Sequence, residues 1–187
     1  MKQLKMLRPS APVVPRALPE GYRIVAYRGA DGEVDEWGAI VAQGLVRVED
    51  NAAAFEKYIL RWRDLRPEED LFFVVDPEGK RVATIVGLRY AEGVGYIHMV
   101  GSLPECRGKG IGHAMLAHAL AHIEELGVTH TVLTTDDYRL PAIKQYLDAG
   151  FLPVLREDPD SDMVARWDKV LEELNYRRVE YLPESIV

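Results

Sequence analysis

Cysteine is almost missing from this sequence: Cys106 stands alone among 187 residues. A single thiol cannot close an internal disulfide, which points to a reducing compartment. Long apolar runs are missing too. No stretch reaches the roughly 18 apolar residues of a membrane-spanning helix, and the N-terminus lacks the continuous apolar core of a secretion signal. Positive charge is in deficit, with 23 Lys and Arg against 30 Asp and Glu and a formal net charge of −7. That balance argues against nucleic acid as a partner. No internal repeat is present. These absences predict a soluble cytoplasmic protein with no membrane and no nucleic-acid partner. The length suits one domain with a sizeable core.

What is present is concentrated at Arg107-Gly108-Lys109-Gly110-Ile111-Gly112. The apolar run Tyr96-Ile97-His98-Met99-Val100 before it reads as a strand, and the amphipathic run from Gly110 to about Leu126 reads as a helix. A strand, a glycine-rich turn and a helix start can hold phosphate. Glycine takes positive φ and lets backbone approach a ligand closely, and the first N–H groups of a helix have no partner of their own. Two phosphate loops are excluded by spacing. A P-loop needs Gly-Lys-Ser/Thr, and here Gly110 follows Lys109; a dinucleotide fingerprint needs a glycine where Met115 stands and an acid near His130.

Along the chain, Pro9, Pro12, Pro15 and Pro19 mark residues 1–20 as an extended arm rather than sheet interior. Tyr22 to Tyr27 reads as a strand. Asp35 is placed to cap a helix running to about Val48, and Asn51 to cap a second one ending near Pro67. Leu71 to Asp76, Arg81 to Tyr90 and Val94 to Val100 form an antiparallel meander. After the helix that Gly127 stops, Thr131 to Thr135 is a strand parallel to the one before the loop. A helix from about Pro141 ends at Gly150, and Phe151 to Leu155 is a strand. Asp160-Ser161 reads as the cap of an amphipathic helix through Val164, Trp167, Val170, Leu171 and Leu174, and the tail from Arg177 is a strand or loose. His118 and His122 share a helix face, but two ligands are too few for a metal centre, so no metal is expected.

Two groups of residues carry a family resemblance. Arg107, Gly110 and Gly112 fit Arg/Gln-x-x-Gly-x-Gly/Ala, and Ala142, Tyr146, Gly150 and Phe151 fit Asn-x-x-Ala-x-x-x-Tyr-x-x-x-Gly-Phe at the same spacing, with Arg139 where the Asn would be. Over about Tyr22 to Leu155 the sequence resembles the GNAT superfamily of N-acetyltransferases. The resemblance implies an α/β (α+β) fold: a mixed central sheet with a splayed parallel strand pair and helices on both faces, here with an extra C-terminal helix. It implies residues 21–156 as the acetyltransferase domain, with 157–187 packed on or extending it. It also implies acetyl-CoA as cosubstrate, its diphosphate held by Arg107, Gly108, Lys109, Gly110, Ile111 and Gly112. Met99, Val100 and Gly101 would offer a strand edge to the pantetheine arm, and Arg139 either reaches a phosphate or stays in solvent.

The implied chemistry is direct attack of a primary amine on the thioester within a ternary complex. Tyr146 stands at the family's general-acid position. For the base, Tyr96 and His98 share a face of their strand; the pair resembles the two histidines of serotonin N-acetyltransferase with the first replaced by tyrosine. His98 would titrate near 6.5. Glu92 is the second choice. Cys106 lacks a visible base partner. The acceptor, a small-molecule or peptide amine, is not legible. A non-catalytic acyl-CoA sensor or interaction module on the same fold is the alternative, and a homodimer through the C-terminal helix stays open.

Overall fold

The computed structural model describes residues 2–155 and 162–186. Eight strands form one mixed sheet in the order β2-β3-β4-β5-β6-β1-β7-β8: β1 Leu4–Pro9, β2 Arg23–Ala26, β3 Leu71–Val75, β4 Arg81–Ala91, β5 Val94–Ser102, β6 His130–Thr135, β7 Leu152–Leu155 and β8 Leu182–Pro183. The helices are α1 Glu33–Val41, α2 Asn51–Phe55, α3 Pro67–Asp70, α4 Ile111–Glu125, α5 Leu140–Asp148 and α6 Met163–Glu173. A π-helical segment, Glu56–Leu60, continues α2.

The meander forms as its alternation requires. β3 is buried along its whole length, and it pairs antiparallel with both β2 and β4. Side chains on β5 then alternate between two helical layers. A Cβ on Gly95 would run into Ile123 of α4, whereas its neighbour Tyr96 packs its ring against Trp62, just past the π-helical segment. Helices therefore cover both faces of the sheet.

The segment Leu4–Pro9 is a correction. The expected arm enters the sheet interior: β1 pairs antiparallel with β6 on one side and β7 on the other. Leu4 and Met6 are fully buried. The prolines misled because they begin only where the strand ends, at Pro9. Arg8 then fastens the segment that follows. Its guanidinium donates to Glu124 Oε1 at 2.6 Å, to the Ala149 carbonyl at 3.0 Å and to the Ala11 carbonyl at 2.8 Å.

Helix starts also shift. α1 begins two residues before Asp35, after Gly32 at φ 83°, and it stops at Val41, ahead of Gly44 at φ 109°. Asp50, not Asn51, caps α2, accepting from Ala53 N at 2.6 Å. The two residues expected as caps instead bond each other, Asn51 Nδ2 donating to Asp35 Oδ1 at 2.8 Å. α6 packs on β7 as an added helix, and the tail returns as β8, parallel to β7. The expected cap at Asp160-Ser161 lies outside the described residues. Among those described, no helix is long and apolar enough to cross a membrane.

Candidate active site

The parallel pairing of β5 with β6 lasts three residue pairs, Val94↔His130, Gly95↔Thr131 and Tyr96↔Val132. Beyond it β5 runs on to Ser102 and β6 to Thr135 without pairing with each other. A β-bulge turns β5 away at that point: the register against β4 slips between Thr84 and Val86, and Met99 takes φ 49°. Positive φ on a non-glycine residue is strained, and bulges re-aim backbone next to sites. The Tyr96 hydroxyl clasps the fork, 3.1 Å from Thr134 Oγ1 across the two strands.

A cavity of about 240 Å³ fills the fork. Met99 and Val100 line it, as do Tyr96, His98, Arg139 and Tyr146 from the sequence-predicted set. Gly101 does not; a Cβ there would meet Leu45 and Ile40 at 3.3 and 3.4 Å, so that part of β5 is covered. Glu92 is exposed in the turn before β5 and is also outside the cavity. Cys106 is buried, with burial raising its thiol pKa.

Tyr146 is 6% exposed, and its hydroxyl has no hydrogen-bond partner among the described residues. Burial pushes its pKa up to about 12, with nearby Arg139 pulling the other way. The phenol is therefore protonated at any working pH. His98 corrects the expectation of titration near 6.5. Burial pushes its pKa down to about 4. Its ring stacks on Trp62 at 3.9 Å between centroids, and its Nε2 lies 3.0 Å from the Tyr58 carbonyl. A carbonyl only accepts, so Nε2 carries the proton and the lone pair is on Nδ1. The π-helical segment supplies that carbonyl: Arg61 N bonds to Glu56 O and Trp62 N to Ile59 O, which leaves Tyr58 O for His98. Single-turn π segments recur at functional sites for such reasons.

The glycine loop follows β5 and leads into α4, and none of its residues lines this cavity. Gly108 and Gly110 hold φ 75° and 76°, and no side chain caps α4. The backbone N–H groups from Gly108 to His113 find no acceptor among the described residues; the first helical bond is Ala114 N to Gly110 O at 3.2 Å. Free N–H donors at a helix start suit an anion such as a diphosphate. The Arg107 side chain is exposed and without a partner among the described residues, and Lys109 Nζ sits 3.2 Å from the Tyr22 hydroxyl. Arg139 is already occupied, by Asp136 at 3.0 Å and by the Gly44 and Leu45 carbonyls at 3.4 Å. It bridges α5 to the loop after α1 across the fork rather than reaching for a phosphate.

The residue profile of the acetyltransferase (GNAT) family matches residues 36–151. The chain belongs to the GNAT family of acetyltransferases. Among curated proteins, this GNAT chain is 30% identical over 163 residues to the mycothiol acetyltransferase of Thermobispora bispora, covering 79% of the chain and 52% of the relative. It is 33% identical over 149 residues to that of Streptomyces bingchenggensis, covering 72% and 44%. The chain thus spans about half the length of the curated relatives it matches. Among solved structures it resembles a GCN5-related N-acetyltransferase from Sphaerobacter thermophilus, with TM-score 0.66, 22% identity, and coverage of 80% of this chain and 47% of that one. A Streptococcus agalactiae acetyltransferase matches with TM-score 0.59 at 16% identity, covering 76% and 90%. At those identities the likeness is one of fold. GNAT enzymes use acetyl-CoA as cosubstrate, and the uncapped loop and open fork suit it.

Three lining residues had no sequence signal: Gln3 belongs to the segment expected to lie outside the sheet, Thr134 is one of several strand threonines, and Tyr58 is one position of a helix among others. Gln145 lies against the loop itself: a Cβ on Gly112 would fall 2.5 Å from its Oε1. As the residue immediately before Tyr146, it sets the start of α4 against α5.

Proposed function

We propose that this chain moves an acetyl group from acetyl-CoA to a primary amine by direct attack in a ternary complex. The observation that carries the reading is the run of six unsatisfied N–H groups at the start of α4, the helix that follows a strand fork the protein leaves open. Those donors, with Arg107 and Lys109 near them, hold the diphosphate. The exposed edge of β5 at Met99 and Val100 takes the amide-bearing arm and lays the thioester in the fork. There a backbone N–H of the bulge faces the carbonyl oxygen as charge builds on it.

The amine nitrogen bonds to the carbonyl carbon, the carbon–sulfur bond breaks, and sulfur takes the proton of the Tyr146 hydroxyl. An ordinary thiol has a pKa of about 8.5, well below that phenol, but the burial that lifts the phenol also lifts a thiol placed beside it. His98, neutral and anchored through Nε2, offers only Nδ1 as an acceptor for the amine proton. The relatives named mycothiol acetyltransferase favour a small-molecule acceptor.

Tyr146→Phe tests the reading. Turnover measured by thiol release should fall by about 10²-fold or more, while calorimetric affinity for acetyl-CoA stays put. A chain that binds acetyl-CoA but never transfers, with or without Tyr146, is a sensor. A chain that does not bind it refutes the proposal.

A further inference from the structure

Two neighbouring residues of α5 serve different places. Tyr146 lines the fork. Gln145 turns to the glycine loop instead, because adjacent residues on a helix point about 100° apart. A Cβ built on Gly112 would fall 2.5 Å from Gln145 Oε1 and 2.7 Å from its Nε2. On a helix the Cβ direction tilts toward the N-terminus. The amide therefore stands at the first turn of α4, level with the N–H groups that find no acceptor among the described residues. At Gly108 and Gly110 the same position is open, with nothing within 4 Å. Of these three glycines, only Gly112 has a side chain laid against it.

That side chain is unemployed within the protein. Neither terminal atom of Gln145 makes a hydrogen bond among the described residues. Its polar neighbours on α5 are spent: Lys144 donates to Asp148 at 2.7 Å, and Asp148 also accepts from the Tyr176 hydroxyl at 3.0 Å. Leucine would fill the space over Gly112 with no loss of helix propensity. An amide differs from it in carrying two N–H donors.

We infer that Gln145 is a further cosubstrate-binding residue, its Nε2–H donating to a diphosphate oxygen of acetyl-CoA. This rests on the acetyl-transfer reading and extends its binding site to a residue outside the glycine motif. α5 then holds one ligand twice, with the amide at the diphosphate and the Tyr146 phenol at the sulfur. An amide also adds a donor there without adding a third charge to Arg107 and Lys109. The rival role is that of a spacer, since Gln145 is half-buried and fills the notch that Gly112 leaves. The carbonyls of the pantetheine arm are a second target for the same N–H.

The test is calorimetry on the full chain with two probes. One is acetyl-CoA; the other is its nucleotide half, adenosine 3′-phosphate 5′-diphosphate, which lacks the pantetheine arm. Gln145→Leu keeps the packing and removes the donor, and it should weaken both probes about tenfold. Gln145→Glu keeps the shape and sets a carboxylate against the diphosphate. It should weaken both by about 100-fold at low salt, and the loss should shrink as salt is raised. The urea midpoint of the ligand-free Gln145→Leu chain should stay in place, because the amide has no partner to lose. Should it shift, the isosteric Gln145→Glu carries the test alone. Unchanged affinity in Gln145→Leu, or a salt-independent loss in Gln145→Glu, would leave Gln145 a spacer and overturn the inference. A loss confined to acetyl-CoA, with the nucleotide unaffected or not bound, would move the amide to the pantetheine arm and overturn it too. Failure of the unsubstituted chain to bind acetyl-CoA sinks acetyl transfer itself, whereas unaltered binding by the variants sinks only the role of Gln145.

Discussion

The two halves of the sheet are built differently. β2 to β5 come mostly in chain order, each turning back on the one before. β6, β1, β7 and β8 are gathered from the two ends of the described chain, with β1 set between strands more than a hundred residues later. Within the first half β3, β4 and β5 need only local turns and alternation, whereas β2 reaches β3 across the helices α1 to α3. The second requires closing long loops before any pairing rewards it. The fork lies on the seam between them, where β5 and β6 pair for three residues and then part. A seam between two separately assembled halves is a place where strands can diverge, because neither half's own pairing depends on it.

Breaking the assembled half should have the largest effect. Arg8→Ala strips a nearly buried guanidinium from Glu124 and from two carbonyls. We expect a loss of about 3 kcal/mol in denaturant unfolding, the low end for breaking a buried pair because Glu124 keeps some solvent. Hydrogen exchange should rise along Leu4–Pro9 and Leu152–Leu155 while Leu71–Val75 stays protected; equal loosening of both halves would erase the contrast between them.

At the seam, His98 gives a pH signature. Its folded pKa of about 4 lies below the ordinary 6.5, so the unfolded chain binds more protons between those values. Stability is therefore complete above about pH 6.5 and falls as pH drops toward 4, by up to about 3 kcal/mol. His98→Gln should flatten that part of the acid limb in urea melts at stepped pH, and an unchanged slope would mean the imidazole is not held neutral.

The smallest effect is expected where the seam meets the ligand. Gly110 sits at φ 76°, and a Cβ added there would have nothing within 4 Å. Gly110→Ala should thus cost only the left-handed penalty, about 1 to 2 kcal/mol, and weaken acetyl-CoA about tenfold as the loop shifts. Full affinity in that variant would show that the loop does not grip the cosubstrate.

By itself the sequence determined the meander, the glycine loop, α4, and Tyr146 four residues before Gly150. All of these are written in short-range periodicity and in glycines whose φ only glycine takes easily. Only the tertiary structure decided that Leu4–Pro9 is a central strand, that Gln3 and Thr134 face the cavity, and that Arg139 is spent on Asp136. It alone decided that His98 is neutral, since a pKa depends on what surrounds the ring and not on its neighbours in the chain. Strand pairing across more than a hundred residues and burial of a single imidazole are both properties of packing, and packing is not local.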